Sequence, residues 1–153
     1  MLLVLNTGSS SIKLALFNAA LDLVVDGTVT GVGGAGHMAL GENKQDVTTA
    51  NHTEALDCLL AGLTARGIAL SEITGAAHRV VHGGRSLVAP TRITPKTLAR
   101  IEAMIPLAPL HNPPALAGMA AVTARLPPLP QFASFDTAFH AGQPDVATAY
   151  ALP

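Results

Sequence analysis

Charge is scarce in this chain. Only 12% of its residues are Asp, Glu, Lys or Arg, a low share for a free-standing domain, since solubility normally asks for more. Part of the surface is therefore expected to meet another domain or subunit. The formal net charge of −1 removes the electrostatic case for nucleic acid or an anionic membrane as partner. Cysteine is nearly absent. The single Cys58 cannot form an internal disulfide, and in its apolar helical pattern a buried structural thiol is the expected role. No apolar run approaches the roughly 18 residues of a membrane span. The N-terminus lacks the basic flank and cleavage site of a signal peptide, so a cytoplasmic location is expected. No Gly-Lys-Thr/Ser run opens a helix, which excludes a Walker-type loop. His78 and His82 lack the spacing and companion ligands of a zinc site.

What is present begins with Leu2 to Phe17. An apolar strand (Leu2 to Leu5), a polar turn and a second strand (Ile12 to Phe17) follow one another. Gly8 lets the backbone approach a ligand with no Cβ in the way. Successive N–H groups with Ser9, Ser10 and Ser11 can donate to anionic oxygens, and Lys13 adds a mobile point charge. Asn6, at the end of the first strand, offers an amide oxygen to a hydrated metal ion. The stretch reads either as a phosphate cradle or as an ordinary polar turn.

At 153 residues the chain is long enough for one domain with a real core. A third strand is expected over Leu21 to Thr30. Gly31 to Gly36 reads as a flexible hairpin or linker and Glu42 to Ala50 as polar. Asn51 with Glu54 predicts a capped helix whose Leu56, Leu59, Leu60 and Leu63 share a face and whose stop is Gly67. His52, in its first turn, reads as a solvated surface residue. Ile73 to His82 predicts a fourth strand closed by Gly83 and Gly84. Thr94 caps a further helix with Pro95 in first position, Leu98, Ile101 and Ile105 on its buried side, and an end at Pro106 and Pro109. Asn112 is expected to cap another helix, starting at Pro113 and running to about Arg125. Gln131 to Asp136 is a last strand, and from Thr137 to Pro153 the pattern is mixed. Strands first, then strands alternating with helices, argue for an α/β domain.

In the fourth strand Arg79 and Val81 fall on one face, and His78, Val80 and His82 on the other. A cation beside an apolar patch suits a small carboxylate with a short alkyl end. The competing reading pairs Arg79 with a structural carboxylate at the sheet edge. His111 lies in a connector pinned by prolines. Asp136 ends the last strand, where ligands of open α/β sheets gather; it serves equally as a helix cap or turn former.

Four stretches, Asn6-Thr7-Gly8-Ser9-Ser10-Ser11-Ile12-Lys13, His78-Arg79-Val80-Val81-His82-Gly83-Gly84, Pro109-Leu110-His111-Asn112-Pro113-Pro114 and Phe135-Asp136-Thr137-Ala138-Phe139-His140, stand in the order in which acetate kinases and their short-chain carboxylate kinase relatives carry them. The chain resembles the N-terminal part of that family. The resemblance implies a ribonuclease-H-like α/β domain of the actin and sugar-kinase superfamily, with a mixed sheet and flanking helices. It also implies reversible transfer of the γ-phosphoryl of ATP to acetate, with Mg2+ as cofactor. On that resemblance Asn6 assists the magnesium ion and Ser9, Ser11 and Lys13 lie along the ATP phosphates. Arg79 holds the carboxylate or moving phosphoryl group, Val81 and Leu110 wall the methyl pocket, His111 supports the site, and Asp136 is the catalytic carboxylate.

Such enzymes are more than twice as long and are expected to be homodimers when intact. Their Gly-Phe-His-Gly motif, adenosine pocket, second arginine and late glutamate have no counterpart here. Residues 1–153 therefore read as the substrate-side domain of a two-domain kinase whose C-terminal nucleotide domain is missing, expected to be inactive alone. A propionate or butyrate kinase of the same family, or a non-catalytic docking module, are the alternatives.

Overall fold

Within the early strands, apolar residues recur at every second position, so the pleat turns Leu3, Leu5, Ile12, Leu14 and Leu16 to one face. A computed structural model of the chain describes residues 1–148. It contains β1 (Leu2–Gly8), β2 (Ser11–Phe17), β3 (Leu23–Thr30), β4 (Gly34–Leu40) and β5 (Asn43–Thr49) as an antiparallel meander. Helix α1 (His52–Ala65) leads to β6 (Gly75–Val80), then β7 (Thr91–Arg92), α2 (Pro95–Glu102), α3 (Asn112–Arg125) and β8 (Gln131–Phe135). The sheet order is β5-β4-β3-β2-β1-β6-β8-β7, with β6 parallel to β1 and β8 parallel to β6. The architecture is the mixed sheet with flanking helices that the sequence implied.

Helices α1, α2 and α3 pack on one side of the sheet. Leu56, Leu59 and Leu63 of α1, with Ala121 and Val122 of α3, bury Leu3, Leu5, Ile12, Leu14 and Leu16. A second cluster joins Ile101 of α2 and Ala115 and Met119 of α3 to Val80, Ala133 and Phe135. The opposite face of the sheet carries Asn6, Lys13 and Arg79.

Several boundaries differ from expectation. β1 does not stop at Leu5 but runs on to Gly8, so the polar motif is the hairpin itself, turning at Ser9 and Ser10. The glycine-rich stretch and the polar stretch after it are a strand pair: β5 is largely exposed, while β4 buries Met38 and Leu40. Cross-strand pairing at the sheet margin holds the polar β5, and the core contacts of Met38 and Leu40 hold β4. α1 is capped as expected: Asn51 accepts from the Glu54 N–H at 3.0 Å. α2 has its Thr94 cap but ends at Glu102, leaving Ile105 in a separate 3-10 turn.

Asn112 caps nothing. It is fully buried, and its side chain accepts from the His82 N–H (3.2 Å) and donates to the carbonyls of His82 (3.0 Å) and Ile101 (3.2 Å). Of the mixed C-terminal stretch, Asp136–His140 is a 3-10 turn and Asp145–Thr148 one short helix; residues 149–153 lie outside the described residues.

Candidate active site

Pairing register decides which side chains meet. Asn6 faces Lys13 and Gly8 faces Ser11 across the β1–β2 hairpin, so all four lie on the helix-free side. Leu5 pairs with buried His78 in the parallel neighbour β6, which turns the next residue, Arg79, to that same side. Arg79 in turn pairs with Ser134 of β8, two residues before Asp136. One cavity of about 370 Å³ results. The hairpin lines it with Asn6, Thr7, Gly8, Ser11 and Lys13; Arg79, Val81, His111 and Asp136 line the other side. The hydroxyl-rich bend, the guanidinium and the aspartate thus share a single hollow at the carboxyl ends of parallel strands.

Polar bonds sew the motifs together beneath this hollow. The Asn112 amide brackets the backbone of His82 on both sides. The Thr137 hydroxyl accepts from the Gly83 N–H at 3.0 Å, and the Thr137 N–H donates to the Val81 carbonyl at 3.3 Å. The chain must turn sharply here. A Cβ on Gly83 would lie 2.4 Å from the Leu87 carbonyl oxygen, and Gly84 has φ +65°, a left-handed conformation that glycine adopts at no steric cost.

Arg79 and Asp136 hold each other. The guanidinium Nη2 donates to Oδ2 at 2.8 Å, and Nε donates to both carboxylate oxygens at 3.0 and 3.1 Å. These hydrogen bonds, and then the charge of Asp136, raise the Arg79 pKa. The Arg79 charge is thus neutralised from within, by the pairing that one reading of Arg79 anticipated. Both side chains remain partly exposed, so the pair is accessible to exchange.

Among the described residues no group of three or more His, Cys, Asp and Glu side chains converges as a metal cage. Asp136 and Asn6 do present a carboxylate and an amide oxygen to the cavity. That donor set suits Mg2+, which takes one or two carboxylates plus phosphates and keeps several waters.

The whole chain, residues 1–153, matches the model of the acetokinase family. The chain belongs to the acetokinase family. Acetate kinase of Deinococcus deserti is 42% identical over 157 residues, covering 99% of this chain and 39% of that protein. Acetate kinase of Stutzerimonas stutzeri is 42% identical over 158 residues, covering 99% and 40%. Among solved structures, an acetate kinase of Porphyromonas gingivalis superposes with a TM-score of 0.92 at 36% identity, and a propionate kinase of Francisella tularensis with 0.91 at 35%. Each of these covers 99% of this chain and 41% of the other. The chain thus spans about two fifths of the length of the acetokinase relatives it matches.

Two residues assigned to the acetokinase site lie apart from the cavity. Leu110 does not wall it: the side chain is 72% exposed, because the connector turns it outward before His111. The Ser9 side chain sits exposed at the tip of the hairpin, outside the lining, which leaves only its backbone N–H for an anion at the tip. His52 is not the solvated surface residue expected from its place in the first turn of α1. It is half-buried, and its Nε2 lies 2.8 Å from the Gly8 carbonyl oxygen. A separation of 44 residues hides that contact from any local pattern. Cys58, expected as a buried thiol, is only partly buried: it packs against the margin of the core, and burial, then Asp57 and Glu54, push its thiol pKa up.

Proposed function

We propose that this chain supplies the carboxylate- and phosphoryl-binding side of an acetate kinase site, as the substrate-side domain of a longer two-domain enzyme. The observation that supports this most is the meeting of Lys13, Ser11, Arg79, Val81 and Asp136 around one cavity. Acetate is already ionised at neutral pH, so its oxygen needs no base to attack phosphorus. The difficulty is bringing two anions together in line, and positioning with charge neutralisation meets it.

In this reading Arg79 exchanges Asp136 for the acetate carboxylate, and Val81 takes the methyl group. The hairpin N–H groups, Ser11 and Lys13 hold phosphate oxygens. An acetate oxygen forms the new bond to the γ-phosphorus as the bond to the β–γ bridging oxygen breaks, giving acetyl phosphate and ADP. Asp136, released from Arg79, and Asn6 would face the Mg2+ that accompanies ATP. That ion supplies neutralisation of phosphate charge. His111 supports the site from the proline-pinned connector.

Propionate is the second acceptor to consider. The propionate kinase of Francisella tularensis is as similar in structure as the Porphyromonas gingivalis acetate kinase, and Leu110 leaves the alkyl pocket open. One methylene is worth only about 1–3 kcal/mol of discrimination.

Acyl phosphate formation from ATP with acetate or propionate, trapped by hydroxylamine, tests the proposal in the longest natural polypeptide that contains this chain. R79A is expected to lower kcat/KM by about 100- to 1,000-fold, the scale of losing one electrostatic donor. Near-normal turnover in R79A would overturn the assignment.

A further inference from the structure

We propose that His52 is a positioning residue of the phosphate-binding hairpin, fixing the Gly8–Ser9 peptide so that the Ser9 N–H faces an incoming anionic oxygen. The inference rests on the hairpin being the phosphate site. A carbonyl oxygen only accepts, so the 2.8 Å contact to Gly8 requires that His52 Nε2 carry the proton. In a trans, planar peptide the C=O and the following N–H point in opposite directions. Holding the Gly8 carbonyl from α1 therefore turns the Ser9 N–H away from α1. The hairpin already pairs Gly8 with Ser11; the His52 contact adds a second restraint on this carbonyl, at a glycine whose backbone alone would adopt many conformations.

The far side of the turn is restrained in the same way, the Val32 N–H donating to the Ser10 carbonyl at 3.0 Å. His52 is well anchored for its task. It is the first residue of α1, whose capping box closes through Asn51 to the Glu54 N–H (3.0 Å) and Glu54 Oε2 to the Ala50 N–H (2.7 Å). Buried Leu56, Leu59 and Leu63 fix the helix itself. His52 does not line the cavity, so its effect passes through the backbone donor. A donor held in place before the anion arrives stabilises charge without reorganising.

The test is a titration of the 153-residue chain with inorganic phosphate, followed by the amide resonances of Ser9, Ser10 and Ser11. H52N and H52A remove the reach to Gly8. H52Q keeps an N–H donor the same number of bonds from Cα. Phosphate is expected to move the wild-type Ser9 amide. H52N and H52A should bind about tenfold more weakly, as loss of one charge-assisted hydrogen bond predicts, with the Ser9 amide already displaced before phosphate is added. H52Q should restore both readouts, with thermal unfolding confirming an intact fold. Wild-type affinity and unmoved turn resonances in H52N and H52A would overturn the role of His52, as would an H52Q that folds but resembles H52N. Absence of any phosphate effect on the wild-type hairpin would instead overturn the phosphate-site reading, and this role with it.

Discussion

Arg79 chooses between an internal carboxylate and an external one. Asp136 occupies it through Nε and Nη2, so any anion that binds Arg79 must compete. D136N weakens that competitor while keeping the shape of the side chain. Anion binding at Arg79 should then tighten about fivefold, a modest gain because the pair is partly exposed and screened. Turnover of the complete enzyme should fall. Calorimetric titration with acetate checks the first outcome; an unchanged or weaker affinity in D136N contradicts it. The sequence marked both residues, but 57 positions separate them, and only the parallel pairing of β6 and β8 shows that each is the other's partner.

His78 faces the other side of the same strand and has a different chemistry. Its Nε2 donates to Gln131 Oε1 at 2.8 Å, while Gln131 Nε2 donates to the Thr123 hydroxyl at 2.8 Å. Burial lowers its pKa from 6.5 to about 4, opposed by the Gln131 bond. The unfolded chain therefore binds the proton more readily than the folded one between these values, and stability rises with pH. The contribution is complete above about 6.5 and is lost as pH falls toward 4, amounting to roughly 3 kcal/mol. Urea unfolding of wild type and H78L at several pH values checks this. Wild type should lose more stability on acidification than H78L; parallel profiles contradict it.

At the level of elements, α3 reaches β1 through a missing side chain. A Cβ on Gly118 would lie 2.3 Å from Thr7 Oγ1, directly behind the β1–β2 hairpin. Thr7 Oγ1 is itself buried without a hydrogen-bond partner. G118A should destabilise by about 1–2 kcal/mol, overpacking outweighing the helix propensity that alanine adds. T7A should recover much of that loss in the double variant, because it removes the obstructing atoms. Additive effects in thermal unfolding contradict the packing argument. Helices with a cap and an apolar face, such as α1, were readable from local pattern. The β4–β5 pair was not, since Gly34, Gly36 and an exposed, polar β5 carry no strand periodicity. Asn112 misled for a related reason: asparagine before Pro113 looks like a cap, and nothing local shows that His82 and Ile101 claim its side chain.

At the largest scale, α1, α2 and α3 cover one side of the sheet among the described residues, and the cavity lies on the other. Leu110 and Phe139 stand exposed on the connectors that carry His111 and Asp136. Together with the low charge content, this predicts concentration-dependent self-association of the 153-residue polypeptide, relieved by L110S with F139S. A constant monomer mass in light scattering contradicts it. The four motifs made the common cavity foreseeable as a family resemblance, yet their convergence is a property of register, which no stretch of sequence shows alone.

In the proposed function the hairpin, Arg79 and Asp136 form one acyl-phosphate site. Titration of the isotope-labelled chain with acetyl phosphate, which carries both reacting groups and needs no nucleotide pocket, tests it most directly. The prediction is a joint, saturable shift of the Gly8–Ser11 amides, the Arg79 Nε–H and the Asp136 amide. Shifts that are absent, or that map to the helical side of the sheet, would contradict it.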